Sequence, residues 1–404
     1  MLNQTGHIDQ IKQLNTGIVY RIIDQHGPIS RIALSKQASL APASITKITR
    51  ELMDAHLIKE LEFPVLGLRG RPAVGLVIES EGWQFLSIVI ESRKSITVSL
   101  KEINGTTLAQ NEYPFDVSGN DAFIHQLLEL ISQFFADHQT SIERLTAISI
   151  LAEGILDPYQ GTIHQLPSFD INALPIAQHL TTQTGLSVYL HPTVDALALM
   201  DHFAFSAKRQ AKNIIYLQLH DAVNVTILNQ GVTLDASTHK PLLFGHTQLN
   251  ESHPIACYCG GEGCLERHVS IAAILQKARI LRCNYPHTAL LQNELSVDNI
   301  CAGAILGDEL CVYLIEDVAK QLAKPLALMT NLLGTELILI NSPLNGAAEV
   351  LFERLRHYMK QSASHLYSSN LLIEKSNFSI KESESTLIQR ALYDGSLLLQ
   401  LLQG

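Results

Sequence analysis

Three of the chain's six cysteines fall within eight positions, as Cys257-Tyr258-Cys259-Gly260-Gly261-Glu262-Gly263-Cys264. This C-x-C-x4-C spacing constrains the local fold more than any other feature of the sequence. Gly260, Gly261 and Gly263 let the backbone turn tightly enough for three thiolates to face one point. Zinc takes four soft N/S donors in a tetrahedron, and an imidazole can be the fourth. His246 lies upstream, and His253 and His268 are its rivals. Four protein ligands with no open position make a structural clamp, one Zn2+ per chain. The competing readings are three buried thiols without a metal, or a disulfide. Cys283, Cys301 and Cys311 are scattered through apolar sequence, as expected of small core residues.

A chain of 404 residues is expected to form two or three domains. No apolar run approaches the roughly 18–20 residues needed to span a bilayer, so no integral membrane segment is expected. The opening stretch is polar, with no signal-peptide core. A cytoplasmic protein is therefore expected, where thiols stay reduced and clustered cysteines favour metal. Net charge is −10, unevenly spread. Residues 1–80 hold nine Lys/Arg and seven Asp/Glu, leaving 20 and 32 for residues 81–404. A mildly basic head on an acidic body suits a protein whose head alone meets phosphate.

The head reads as three helices and a wing. Apolar Ile18, Tyr20, Ile22 and Ile23 fit a first helix over 14–25, which His26-Gly27-Pro28 breaks. Ser30 caps a second, with Ile32, Ala33 and Leu34 facing inward. Pro42 opens a third, where its missing N–H is no loss. Its buried stripe is Ile45, Ile48, Leu52 and Met53, leaving Ser44, Thr46, Lys47 and Arg50 outside. Helix, tight turn and helix with a small polar and basic outer face fits a DNA major groove. A hairpin follows, with strands Ile58–Phe63 and Ala73–Ile78, whose tip carries Arg69 and Arg71. Arginines on such a tip suit a narrow minor groove. The competing reading is a helical protein-interaction module with an incidental loop.

From Trp83 the texture changes. Residues 85–110 alternate like two hairpin strands joined at Asn104-Gly105. A helix over about 120–138 follows, and further strands alternate with helices, which implies a layered α/β body. The tail, with Leu387, Ile388, Leu392, Leu397, Leu398, Leu401 and Leu402, has an apolar face too large to leave wet. Packing on its own domain and a subunit contact are equally open.

Phe244-Gly245-His246 followed by Cys257–Glu266 resembles the signature of the ROK family (repressors, open reading frames and kinases). The resemblance implies an α/β, actin-like ATPase-type, two-lobed sugar-kinase-like body, here preceded by an N-terminal winged helix-turn-helix. In it the motif's zinc ligands fall on His246, Cys257, Cys259 and Cys264. The head resembles the family's regulator branch. The expected division is a DNA-binding domain over 1–80, a first lobe over 81–194 plus a C-terminal helix at about 381–404, and a second lobe over 195–380 carrying the zinc loop and an oligomerisation surface.

The departures from the kinase pattern argue against enzyme activity. The family's first phosphate turn is Asp-x-Gly-Gly-Thr; here Ser92-Arg93-Lys94 has no glycine. The second phosphate loop is glycine-rich in the kinases and is Ala222-Val223-Asn224-Val225 here. Without the glycine conformations, backbone N–H groups cannot converge on a phosphate. Asp195 matches the catalytic base but lacks its asparagine partner, and an N-cap role competes with a vestigial one. Leu243 stands where a sugar-contacting glutamate is expected, while Glu266 is retained, so Asp195 and Glu266 are the possible residual sugar contacts. The expected partners are an operator in double-stranded DNA and further copies of the chain, as a homodimer or dimer of dimers. Likeness to the family's glucose-responsive repressors implies a protein inducer, the dephosphorylated B domain of the phosphotransferase-system glucose transporter. Direct sensing of a sugar or sugar phosphate is the alternative.

Overall fold

The computed structural model describes residues 4–63, 73–79, 81–91, 95–205, 210–229, 231–234, 241–249 and 255–402. Arg69, Arg71, Ser92-Arg93-Lys94 and His253 lie outside these residues. Among the described residues, no helix is long and apolar enough to cross a membrane.

The head begins with α1 (Gln4–His26), which starts ten residues before the expected 14–25. Its first half is polar and carries no periodic signal, but contacts elsewhere hold it: Lys12 pairs with Glu51 at 3.0 Å. Ser30 caps α2 (Arg31–Ala38) by accepting from the Ala33 N–H, and Pro42 opens α3 (Pro42–Asp54). Leu34, Ile45, Ile48, Thr49 and Leu52 are buried between the helices, with Met53 half-buried. Ile32 is 74% exposed, so it does not join this face. In so short a helix Leu34 and Ala38, four apart, set the inward side and Ile32 falls outside it. Strands β1 (Ile58–Phe63) and β2 (Ala73–Ile78) pair antiparallel, as the expected hairpin requires, with Ile58 opposite Ile78 and Phe63 opposite Ala73.

The body holds two five-stranded sheets with one topology used twice. The first comprises β3 (Trp83–Glu91), β4 (Ser95–Glu102), β5 (Thr107–Pro114), β6 (Arg144–Ala152) and β10 (Ser187–Pro192), in the order β10-β6-β3-β4-β5. The second comprises β11 (Asn213–Leu219), β12 (Val223–Asn229), β13 (Val232–Thr233), β14 (Leu337–Asn341) and β15 (Leu372–Lys375), in the order β13-β12-β11-β14-β15. In each sheet an antiparallel meander of three strands is extended by two parallel ones. A small sheet of β7 (Ile155–Asp157), β8 (Thr162–Leu166) and β9 (Ile171–Leu174) caps the first lobe. Residues 83–114 thus form three strands where two were expected, because 92–94 carries no turn signal of the Asn-Gly kind. Helix α4 (Asn120–Asp137) covers the first sheet through Phe123, Leu127, Ile131 and Phe134.

Helix α5 (Ile176–Thr184) leads to β10 and then α6 (Thr193–Phe205), which lies between the lobes. Val194, Leu197 and Leu199 pack there with Val89 and Leu151 of the first lobe and Tyr216 and Leu339 of the second. The tail also packs on its own chain. Leu387, Ile388, Leu392, Leu397 and Leu398 are buried, and Ile388, Leu392, Leu397 and Leu398 share a core with Val19 and Ile23 of the head and Phe85 of β3. Trp83 adds a polar tie, its indole N–H donating to the carbonyls of Ala55 at 3.1 Å and His56 at 3.2 Å.

Candidate functional site

The α3 face comes first. Ser44, Thr46, Lys47 and Arg50 are all exposed, on the side opposite Ile45, Ile48, Thr49 and Leu52. The 3.6-residue period alone produces this split. Thr46 donates its hydroxyl to the Pro42 carbonyl at 2.9 Å, so towards solvent it offers lone pairs and a methyl. Arg31 is used internally, donating to Glu60 at 2.7 Å and to Thr49 at 3.4 Å. It fixes α2 against α3 and the wing, a role the sequence reading did not assign.

The second component is the cysteine loop. His246 ends a single 3-10 turn, Phe244–His246. Gly245 is required there, since a Cβ would stand 2.3 Å from the Val223 carbonyl. Short antiparallel bridges, Gln248 to Cys264 and Ala256 to Glu262, fold the loop back on itself. Gly260 takes φ +86°, a left-handed conformation that closes the turn after Cys259. The result gathers one donor atom each from His246, Cys257, Cys259 and Cys264, all within 4.8 Å of one another. His268 is not among them.

The spacing fits a tetrahedral ion. Metal–sulfur bonds of about 2.3 Å and metal–nitrogen bonds of about 2.0–2.1 Å imply edges of about 3.8 Å between sulfurs and about 3.6 Å from sulfur to nitrogen. Cys259 Sγ and Cys264 Sγ are 3.6 Å apart, and Cys257 Sγ and His246 Nδ1 are 3.5 Å apart. Burial pushes the Cys264 thiol up to about 12 and raises Cys257. Burial opposes ionisation of Cys259 too, but the Gly261 N–H and the neighbouring thiols outweigh it and bring this thiol below its ordinary value. Burial lowers His246, favouring the neutral, ligating form. Of the other cysteines, Cys301 and Cys311 are buried as expected, whereas Cys283 is exposed. It sits in a 3-10 turn past the last apolar turn of its helix, where nothing packs over it.

The third component is the interlobe cleft. Asp195 is no N-cap: Thr193 begins α6, and Asp195 sits buried in its first turn. With Asn224, Leu243 and Pro192 it lines a cavity of about 20 Å³, room for about one water. Glu266 does not line this cavity. Instead Glu266 accepts from the Val223 N–H at 2.9 Å and from the Tyr258 hydroxyl. Burial raises its carboxyl above the ordinary value despite these donors. Val223 lies in the second phosphate loop of the pattern, and its N–H is already satisfied by a carboxylate. Beside it lies a cavity of about 180 Å³ lined by Glu91, Glu153, His220 and Asp221, with Ile90, Ile271, Pro343 and Ile380. Sequence reasoning passed over Glu153; the only signal was one acid inside the apolar run 145–156.

The comparisons with known proteins agree with this geometry. The family model described as ROK family matches residues 92–383. The chain is 40% identical over 406 residues to the DNA-binding transcriptional repressor Mlc of Escherichia coli (strain K12), covering 100% of this chain and 99% of that one. It is 31% identical over 404 residues to the DNA-binding transcriptional dual regulator NagC of the same organism, covering 99% and 98%. A solved ROK family transcriptional regulator, described as a homolog of the E. coli protein Mlc, superposes with a TM-score of 0.87 at 34% identity, over 98% of this chain and 100% of that one. A ROK family glucokinase from Streptomyces griseus, solved with glucose and AMPPNP, shares the fold of the body: TM-score 0.59, 16% identity, 75% of this chain and 97% of that one. An actin-like body, a head of helices and wing, the Phe-Gly-His turn and the Cys3His loop together place this chain in the ROK family.

Proposed function

We propose that this protein is a DNA-binding transcriptional repressor of sugar-uptake genes, those of the phosphotransferase system, with a body that transfers no phosphate. The observation that carries the reading is the α3 face: two cations and two small hydroxyl side chains, solvent-facing on a helix whose other side is fully buried. Full-length likeness to two DNA-binding regulators supports it. Ser44, Thr46, Lys47 and Arg50 enter the major groove, and Arg69 and Arg71 of the wing reach the minor groove. Two heads engage two half-sites, which calls for a homodimer or a dimer of dimers.

The absence of kinase activity rests on charge and space. An ATP phosphate entering beside Val223 meets Glu91, Glu153 and Asp221, with no Lys or Arg among the described residues lining that cavity. The pocket around Asp195 is far too small for a hexose. Asp195 and Glu266 then serve the fold, and regulation comes from a protein inducer, the dephosphorylated B domain of the glucose transporter. Direct capture of a sugar is the second reading, favoured only by the retained acids. His246, Cys257, Cys259 and Cys264 would hold one Zn2+, which in such a site supplies cross-linking rather than chemistry.

The test is to select bound duplexes from random DNA with the full chain, then add candidate inducers. Enrichment of a two-fold-related motif, released by the transporter B domain and not by glucose, is expected. No enrichment overturns the DNA reading; release by free sugar favours the second one.

A further inference from the structure

A buried polar contact joins the two lobes. Glu153, immediately after β6 in the first lobe, is 9% exposed. Its Oε1 accepts from Gln218 Nε2 at 2.8 Å, and Gln218 is fully buried on β11 of the second lobe. The Oε1 of Gln218 accepts from the Thr193 hydroxyl at 3.0 Å, which leaves its amide N–H to donate to Glu153. The carboxyl is therefore pinned at the junction of β6, β11 and α6.

The groups around it make ionisation unfavourable. Glu91 ends β3, Asp221 lies in the β11–β12 turn, and Glu266 approaches from the helix Glu266–Val269; all three act on Glu153. His220 also lines the cavity, with its ring nitrogen 3.0 Å from the Asn341 carbonyl oxygen. The remaining lining residues, Ile90, Ile271, Pro343 and Ile380, carry no charge. Burial first, then Asp221, Glu91 and Glu266, push the Glu153 carboxyl up to about 7, while the Gln218 N–H pulls the other way. An isolated exposed glutamate loses its proton more than two units lower.

We propose that Glu153 is a proton-operated latch between the lobes: with its proton it lets the cleft stay closed, and on losing it the cleft widens. The physical cause is solvation. A carboxylate sharing a cavity of about 180 Å³ with Glu91 and Asp221, and acted on by Glu266 as well, is relieved by water entry, which needs a wider cleft. The neutral acid has no such need. On the repressor reading above, cleft width sets the spacing of the two heads, so operator affinity follows the same protonation step.

Hydrogen exchange of the full-length protein between pH 5.5 and 8.5, corrected for the intrinsic pH dependence of amide exchange, tests the latch without DNA. Residues 151–157 and 217–224 are expected to exchange several-fold faster above neutrality than below it. Glu153→Gln should abolish the step and hold both segments at the slow level throughout. Asp221→Asn, which keeps Glu153, should move the step to lower pH. A wild-type protein with flat corrected exchange overturns the proposal whatever the variants do, as does a step that survives in Glu153→Gln. Because no operator is used, failure of the latch and failure of the repressor reading are told apart.

Discussion

Tyr393, near the end of the sequence, donates its hydroxyl to the Asp24 carboxylate on the first helix, at 2.5 Å. The same tyrosine stacks edge-on against Phe203 of α6, with ring centres 5.5 Å apart. Its helix, Thr386–Tyr393, also reaches the second lobe, where Arg390 donates to Thr233 at 3.1 Å. One short helix thus touches the head, the interlobe helix and the edge of the second sheet.

The backbones cross very closely at this joint. A Cβ on Gly17 would lie 2.4 Å from the Tyr393 carbonyl, and one on Gly395 would lie 2.1 Å from that of Gln13. Gly395→Ala also meets φ +80°, so it should destabilise the head by about 2–4 kcal/mol, overpacking and strain together. Tyr393→Phe, which removes the bond to Asp24 and the one accepted from Gln389, should lose only about 1–2 kcal/mol. Proteolytic release of the head reads both; equal susceptibility in the two variants would mean that the glycine crossing does not hold it.

Lys101 and Glu384 form a buried pair at 3.4 Å that joins β4 to the segment leading into the C-terminal helix. Removing one partner of such a pair strands the other charge out of water. Lys101→Met should therefore destabilise by about 3–5 kcal/mol, and the double variant Lys101→Met/Glu384→Leu should recover most of it. Denaturant unfolding of these two variants and of Glu384→Leu measures the coupling; full additivity would contradict it.

Purified protein should carry one zinc per chain. Cys259→Ala should lose the metal and at least about 2 kcal/mol, a fall in Tm of roughly 4 °C or more for a lobe of this size. Metal analysis with calorimetry checks both. A fully stable, metal-free wild type would remove the clamp.

The Glu153 carboxyl also gives stability a pH dependence of defined sign. Its folded value, about 7, lies above that of the unfolded chain, so the native state holds the extra proton between the two. Stability from this group is present at low pH and declines as pH rises from about 4.5 to about 7, by up to about 3 kcal/mol. Glu153→Gln should therefore match wild type near pH 4.5 and exceed it at pH 8. A variant weaker than wild type at pH 8 would reverse the sign and refute the argument.

The head was legible because its signals are local. Ser30, Pro42 and the Ile45–Ile48–Leu52 spacing set two helices without help, and both wing strands began and ended where expected. The early start of α1 was not legible, since residues 4–13 are held by partners far along the chain, among them Glu51 and the Asp394 carbonyl, which accepts from Gln13 at 3.2 Å. Ile32 misled because an apolar residue next to Ala33 and Leu34 reads as core, and only the packing of α2 shows which side faces in. The clustering of the three cysteines was legible from spacing and glycine content, whereas the choice of His246 over His253 and His268 rested on the family resemblance. The interlobe contact of Glu153 was not, because it joins residues 65 apart in chain order through two different sheets. The twofold use of one sheet topology left no trace in residue identities, because alternating apolar strands can be written in many ways.

The central claim is that the α3 face reads duplex sequence, and competition binding of a selected duplex against a scrambled one tests it most directly. Wild type should prefer the selected duplex by about 10³-fold or more at physiological salt. Arg50→Ala should shrink that ratio, and Lys47→Ala should weaken both duplexes and reduce the salt slope by about one. A ratio near one for the wild type, with the fold intact, would contradict the account.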